Sequence, residues 1–348
     1  MTAAAKMTIN PEQVSALIVG IEAYQLGGDY DLDGPARDGW RFIEWLLSRG
    51  VLPRRIHFFA SPLAQNDAVK AQAKQSGIRC LPATRDAIDK YIRDELQTAC
   101  GEVLYVFWGG HGILTKTEQA TRQLLFADTT ATNKLNLNVD SLQQALATST
   151  YGEGFAKQLL VVDACANRYF QNLYEVIQGK AGEHQYGSSG EAVLVEQAVM
   201  FACEAYDVAK NIAGTGVFSS AVLAELTDQP LFPDMQALMN RVSDRLSQKG
   251  MPEPYYLWTK FGNQEIVRAQ RGRAARADTS LQADPTGIQQ LKAKRIQHQL
   301  ERAREQHEAE SELLGETSGA VDAQRQQTVE RLEKKIAELE IKLKEAMP

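Results

Sequence analysis

Between about residue 15 and residue 267, short apolar runs alternate with amphipathic stretches. SALIVGIEAY (Ser15–Tyr24) is apolar almost throughout and predicts a buried strand. From Asp38 to Arg49, Trp40, Ile43, Trp45, Leu46 and Leu47 recur near helical spacing. RIHFFA (Arg55–Ala60) predicts a second strand, and Thr84–Gln97 a helix with Thr84 as its N-cap. VLYVFW (Val103–Trp108) predicts a third strand, running into Gly-Gly-His-Gly. A short helix at Ser141–Ala147 follows, then a fourth strand, QLLVVDAC (Gln158–Cys165). AVMFACEAY (Ala198–Tyr206) is the fifth, followed by a helix at Phe218–Leu226. Strands that are apolar throughout, alternating with helices, predict an α/β fold. Its mostly parallel sheet is covered on both faces, as a three-layer α/β/α sandwich.

Such sheets gather reactive groups beyond the carboxyl ends of their strands. His111 stands just past VLYVFW and Cys165 just past LLVVD. Strand order alone therefore makes neighbours of two residues 54 positions apart. A thiolate nucleophile needs a base and donors for the oxyanion. His111 can supply the base, and the backbone N–H groups of Gly112 and Cys165 can supply the donors. Each half alone has a bland reading. A cysteine after a strand is usually packing, and a histidine in a glycine turn is usually an ordinary loop residue. The joint pattern, strand–GGHG followed by strand–DAC, is the specific signal.

Composition narrows the classes. The chain has 348 residues, 44% hydrophobic and 24% charged, which is ordinary for a globular protein. A net charge of -6 argues against a nucleic-acid footprint. The four cysteines form no CxxC pair, so free thiols are expected rather than disulfides or a zinc ribbon. The first ten residues lack the apolar core of a secretion signal, and no apolar run reaches membrane length, so a soluble cytoplasmic protein is expected. No GxGxxG or P-loop follows the first strand, which sets aside a nucleotide-binding domain.

Beyond Arg268 the aromatics vanish and Ala, Glu, Lys, Arg, Gln and Leu dominate. Val329, Leu332, Ile336, Leu339 and Leu343 step by three and four, and Ile288, Leu291, Ile296 and Leu300 mark an earlier helical stretch. GETSGA (Gly315–Ala320) separates the two. An antiparallel helical hairpin, an oligomerising coiled coil and a merely solvated appendage all fit this pattern. The expected organisation is an α/β domain carrying His111 and Cys165 at 1–267, a linker at 268–286 and the helical appendage at 287–348.

The motifs VFWGGHG (Val106–Gly112) and LLVVDACAN (Leu159–Asn167) resemble the histidine and cysteine motifs of the caspase/metacaspase group. LIVGIEAY (Leu17–Tyr24), LDGPARDGWRFIEWLLSRG (Leu32–Gly50), VMFACEAYDVA (Val199–Ala209), GTGVFSSAVLAEL (Gly214–Leu226) and PEPYYLW (Pro252–Trp258) follow in the family's order. The resemblance implies a caspase-like fold and a Cys–His dyad peptidase with protein substrates. Two departures stand out. The cysteine motif continues as Ala166-Asn167-Arg168, where many metacaspases have His-Ser-Gly or Arg-Ser-Gly. Leu32 and Asp163 occupy positions where aspartate-cutting caspases carry Arg and Gln. Asp163, Asp38 and Asp207 instead suggest an acidic pocket for Arg or Lys. An aspartate at the position of Asp38 also occurs in caspases of the opposite preference, so its bland reading is structural.

The resemblance also implies control by processing or by a partner. Lys180, in the loop Gln178–Gly190, and Arg271, Arg273 and Arg276 at the domain boundary are the candidate cleavage points; plain flexible linkers are the bland reading. An upstream protease or regulator, and oligomers formed through the C-terminal helices, are the expected partners, with no nucleic acid and no membrane. No cofactor or metal is expected; calcium, needed by some metacaspases, stays open. His184 is read as solvent-facing, His57 as structural, His298 and His307 as tail residues, and Cys80, Cys100 and Cys203 as packing. By analogy, a bacterial regulated-proteolysis or antiviral defence pathway suits the domain plan. The alternative is a catalytically silent caspase-like scaffold acting through its tail.

Overall fold

Strands apolar on both sides must be sandwiched, and the chain meets that demand with two separate cores on one sheet. The computed structural model describes residues 9–114, 121–151, 154–165, 183–186, 190–203, 209–212, 214–260 and 263–265, with scattered positions from Leu300 to Lys344. Strand β1 (Val14–Ile21) leads to helix α1 (Pro35–Ser48), then β2 (Ile56–Ser61), α2 (Ala68–Gln75), β3 (Cys80–Leu81) and α3 (Arg85–Lys90). Next come β4 (Gly101–Gly110), β5 (Gly112–Leu114), β6 (Arg122–Leu125), β7 (Asn136–Asn138), α4 (Val139–Leu146) and β8 (Phe155–Ala164). The series continues with β9 (Glu183–His184), β10 (Glu196–Phe201), α5 (Val217–Leu226), α6 (Met235–Gln248), β11 (Tyr255–Lys260) and β12 (Asn263–Glu265).

The main sheet has the order β12-β11-β10-β8-β4-β1-β2-β3. It is parallel from β3 to β10; β11 and β12 run antiparallel at the far edge. Alternate residues of each strand point to opposite layers. Ala16, Ile18, Tyr105, Phe107, Leu159 and Val161 join one core with α1, α5 and α6. Leu17, Val19, Val106, Trp108, Leu160 and Val162 join the other, with α3 and α4.

A smaller sheet, β5-β6-β7-β9, stands beside the main one. Its strands are two to four residues long. That is too short to leave a periodic trace in sequence.

The helix expected at Thr84–Gln97 is shorter and irregular. Only Arg85–Lys90 is α-helical; Tyr91–Glu95 widens to a π turn and Leu96–Thr98 tightens to a 3-10 turn. Thr84 sits at the cap position, but its side chain caps nothing. Asp128 does that work from a distant loop, accepting the Arg85 N–H at 2.9 Å.

The chain divides into two compact units, Met1–Gly272 and Arg273–Pro348. In the second, the described positions are helical, among them Leu300, His307, Val329 and Glu340. Arg304 pairs with Glu340 at 2.6 Å, and His307 with Glu333 at 3.4 Å. Among the described residues, no helix is long and apolar enough to cross a membrane.

Helix α1 lies unusually close to β1. A Cβ on Gly20 would stand 2.6 Å from the Pro35 carbonyl oxygen and 2.7 Å from the Ala36 Cα. Backbone cannot yield as a side-chain tip can. We therefore expect Gly20→Ala to destabilise the protein by about 1–3 kcal/mol. The measurement is the urea midpoint, at unchanged slope.

Candidate active site

Strand register builds the site. In the pairing of β4 with β8, Gly109 faces Asp163 and Gly110 faces Ala164. His111 and Cys165 are the next residues on the two strands. Parallel neighbours lie about 4.8 Å apart in a sheet, so the two leave it side by side. Both line a cavity of about 290 Å³. His111 is buried and Cys165 half-buried. Gly112 begins β5 and turns back against the nucleophile candidate: a Cβ there would meet the Cys165 carbonyl oxygen at 2.4 Å. Only glycine permits that approach.

His111 is held from two directions. Its ring Nε2 lies 2.8 Å from the Tyr30 carbonyl oxygen. A carbonyl only accepts, so Nε2 carries the proton and Nδ1 is the nitrogen able to take another. Its backbone N–H donates to the Tyr24 hydroxyl at 2.8 Å, and the two rings lie 4.8 Å apart. Burial lowers the His111 pKa, while the Tyr30 carbonyl and the nearby Asp31 push it back up. Burial likewise drives the Tyr24 hydroxyl well above its ordinary range. The Cys165 sulfur lies 3.9 Å from the Ala209 carbonyl oxygen.

The cavity walls are acidic. Among the described residues, Asp29, Asp31, Asp38 and Asp163 line it, against one lysine, Lys210. Asp38 and Asp163 converge on the N-terminus of α5. Asp38 accepts the Gly216 N–H at 2.7 Å; Asp163 accepts the Ser219 N–H at 3.0 Å and the Ser219 hydroxyl. The unpaired N–H groups and dipole of a helix start suit carboxylates. Burial nevertheless dominates. It raises Asp38 from 3.8 to about 7, with Asp163 adding to the rise and the Gly216 N–H and Arg41 opposing it. Asp163 is raised too, again by burial first. Arg41 reaches Asp38 at 3.2 Å from the exposed side, so part of its charge is already answered.

The loop after residue 208 is tied to the start of α1 and to the residues just before it. Arg37 donates to the Gly214 carbonyl at 2.6 Å, and the Asn211 side-chain amide donates to the Asp33 carbonyl. Asp29, Asp31 and Asp33, ending in Gly34, have the spacing that opens an EF-hand calcium loop. The structure disperses them. Asp31 accepts the Tyr24 N–H, and Asp33 holds Arg37 and Asn66. Among the described residues, no three acidic, His or Cys side chains come together to hold a metal ion.

Of the residues expected from sequence, His111, Cys165, Gly112, Asp38 and Asp163 meet around this cavity. Asp207, Lys180, Arg271, Arg273 and Arg276 lie outside the described residues. Two readings change. His184 is not solvent-facing: its side chain is 16% exposed, its ring bonds Asp89 at 2.7 Å, and its backbone pairs β9 with β7. Cys100 is exposed rather than packed. Cys203 is buried as expected, and Cys80 is half-buried, its thiol pushed up to about 11 by burial. Tyr30, Tyr24 and Ser219 carry no sequence signal of their own. Ser219 stands 56 positions from the Asp163 it binds, and Tyr30 acts through its main chain.

A family model described as a caspase domain matches residues 13–261. No curated protein matches the chain. Among solved structures, it is similar to a protein of Geobacter sulfurreducens, at 14% identity and TM-score 0.47, over 74% of this chain and 97% of that one. It is also similar to caspase-1 of Spodoptera frugiperda, at 15% identity and TM-score 0.46, over 74% and 89%.

The raised Asp38 has a consequence for stability. Between its unfolded value near 3.8 and its folded value near 7, the folded state holds a proton that the unfolded state has released. Stability should therefore fall as pH rises through that window and level off above it. Asp38→Asn removes this slope. We expect it to gain roughly 1–3 kcal/mol on the wild type between the two limits, read from urea midpoints at stepped pH.

Proposed function

The chain belongs to the caspase-domain family, and from that membership and its strand-end geometry we propose that it is a cysteine endopeptidase cutting after Arg or Lys. The observation that carries the reading is the register of β4 and β8, which sets His111 beside Cys165 at a cavity walled by Asp38 and Asp163.

In this reading His111 Nδ1 takes the proton of Cys165, and the thiolate attacks the scissile carbonyl. The oxyanion meets the backbone N–H groups of Gly112 and Cys165. His111 then returns the proton to the leaving amine, and water hydrolyses the thioester by the reverse sequence. The Tyr30 carbonyl holds the imidazole in its tautomer, and the Tyr24 hydroxyl holds the His111 main chain through its N–H. Asp163 and Asp38 receive the cationic side chain, their hydrogen bonds to the start of α5 keeping them aimed. Asp207 is a further candidate for the same pocket.

We read the appendage as an antiparallel helical hairpin. The two ion pairs favour it: from Arg304 to His307 the number rises, while from Glu340 to Glu333 it falls. Processing at Lys180 or at Arg271, Arg273 or Arg276 is the proposed control. Sequencing of new termini after incubation tests it; full activity with all four sites intact sinks the idea.

Fluorogenic peptides differing only at the cleaved residue test the main proposal. We expect turnover after Arg and Lys, none after Asp, and none at all from Cys165→Ala or His111→Ala. Asp163→Asn should raise KM for the Arg peptide about tenfold or more, through loss of a buried charged partner. Benzamidine, a guanidinium-like competitor, should bind more tightly as pH rises through about 7, where Asp38 ionises, and no more tightly above. Cleavage after Asp would overturn the pocket assignment.

A further inference from the structure

We propose that Glu22 is a positioning residue for the cation pocket: its carboxylate fixes where α1 begins, and thereby where Asp38 stands. The inference rests on the peptidase reading above and adds to it a residue with no place in the chemistry.

Glu22 directly follows β1 and is fully buried. One carboxylate oxygen accepts the N–H groups of Gly34 and Ala36, both at 3.1 Å. The other accepts the Leu63 N–H at 2.9 Å and the Asn66 side-chain amide at 2.8 Å. A buried carboxylate survives only where its lone pairs are taken by donors, and charge-assisted bonds are the strong ones. Four donors from two separate segments meet that condition. Its main chain is committed as well. The Glu22 N–H donates to the Ser61 carbonyl and its carbonyl accepts the Leu32 N–H, both at 2.9 Å.

The choice of donors at α1 is informative. Pro35 opens the helix and has no N–H. Gly34, at the cap position, has no side chain to cap with. The start of α1 is therefore left without a local cap, and Glu22 supplies one from the end of β1. Nor can position 34 carry a capping side chain: its φ is 124°, and a Cβ there would stand 2.4 Å from the Gly214 carbonyl oxygen. Capping from the strand achieves something that a local cap cannot: it ties the helix to the sheet. Gly20 of β1 is paired with Gly109 of β4, which is paired with Asp163 of β8. Asp38, one turn into α1, is thus held against the same rungs that place Asp163, His111 and Cys165. A pocket that grips one cation between two carboxylates needs both in one frame.

Two alkylating probes separate this role from a merely structural one. The iodoacetamide rate at Cys165, followed apart from that at the exposed Cys100, needs only the Cys165–His111 pair; an arginyl chloromethyl ketone also needs the cation pocket. In Glu22→Gln, the amide turns a donor toward donors. We expect the arginyl probe to lose about tenfold or more in rate beyond any loss with iodoacetamide, as displacements of an ångström cost in positioned sites. KM for an Arg peptide should rise in step, with kcat less affected. If both probes slow together, or neither slows, the proposal is overturned. If Glu22→Gln does not fold by circular dichroism, Asn66→Ala decides, because it removes one donor and keeps the carboxylate. A smaller but still selective loss supports the proposal, and a parallel loss or none overturns it. A wild type in which Cys165 reacts with iodoacetamide no faster than the exposed Cys100 gives a third, distinct pattern. It overturns the peptidase reading and this inference together.

Discussion

Two parallel strands that end on the same rung are the constraint on which the site depends. The pairing of β4 with β8 begins at Gly101–Phe155 and is continuous from Val103–Lys157 to Gly110–Ala164. Backbone hydrogen bonds fix that register, and both layers of core lock it, because a slip of one residue would exchange Tyr105 and Phe107 for Val106 and Trp108 on opposite faces. His111 and Cys165 therefore need no contact with each other to be brought together. Their meeting is enforced by aromatic side chains buried deep in the sheet, far from the reacting atoms. This is an economical way to hold two residues side by side, since the whole stability of the sheet resists their separation.

Around that fixed pair, the pocket is an electrostatic compromise. Asp38 and Asp163 share the start of one helix, which favours anions, and share burial, which disfavours them. A group poised in this way is costly when empty at alkaline pH and is relieved by a cation. Ligand charge and protein stability are coupled through the same two side chains. Arg41, from the solvent side, moderates the cost without filling the cavity.

The sequence made the sheet legible because its strands are long and apolar on both faces: LIVGI, VLYVFW and LLVVD can scarcely be anything else. That His111 and Cys165 would be neighbours was legible for the same reason, since strand ends collect in one place. The acidic pocket was half legible; Asp163 announced itself by adjacency to Cys165, and Asp38 by its turn. What escaped were interactions made by main chain or across long separations. The Tyr30 carbonyl has no residue type to betray it. Ser219 reaches Asp163 through tertiary folding alone, and Glu22 reads locally as one polar residue at a strand end. The small sheet escaped because its strands are too short for alternation to register. His184 escaped because glycine-rich surroundings suggest a loop, whereas its partner Asp89 lies in α3, far away in the chain.

One feature of the sheet bears on what a cut in the chain would do. Lys180 lies in the stretch of chain between β8 and β10, and these two strands are themselves neighbours, Lys157–Val162 lying against Glu196–Phe201. Severing the loop would remove a covalent connection between two strands that remain zipped by backbone hydrogen bonds and by side chains on both faces. The halves would stay one particle, migrating together in solution and parting only in denaturant. What the cut would release is not a fragment but a constraint, while the paired strands hold still.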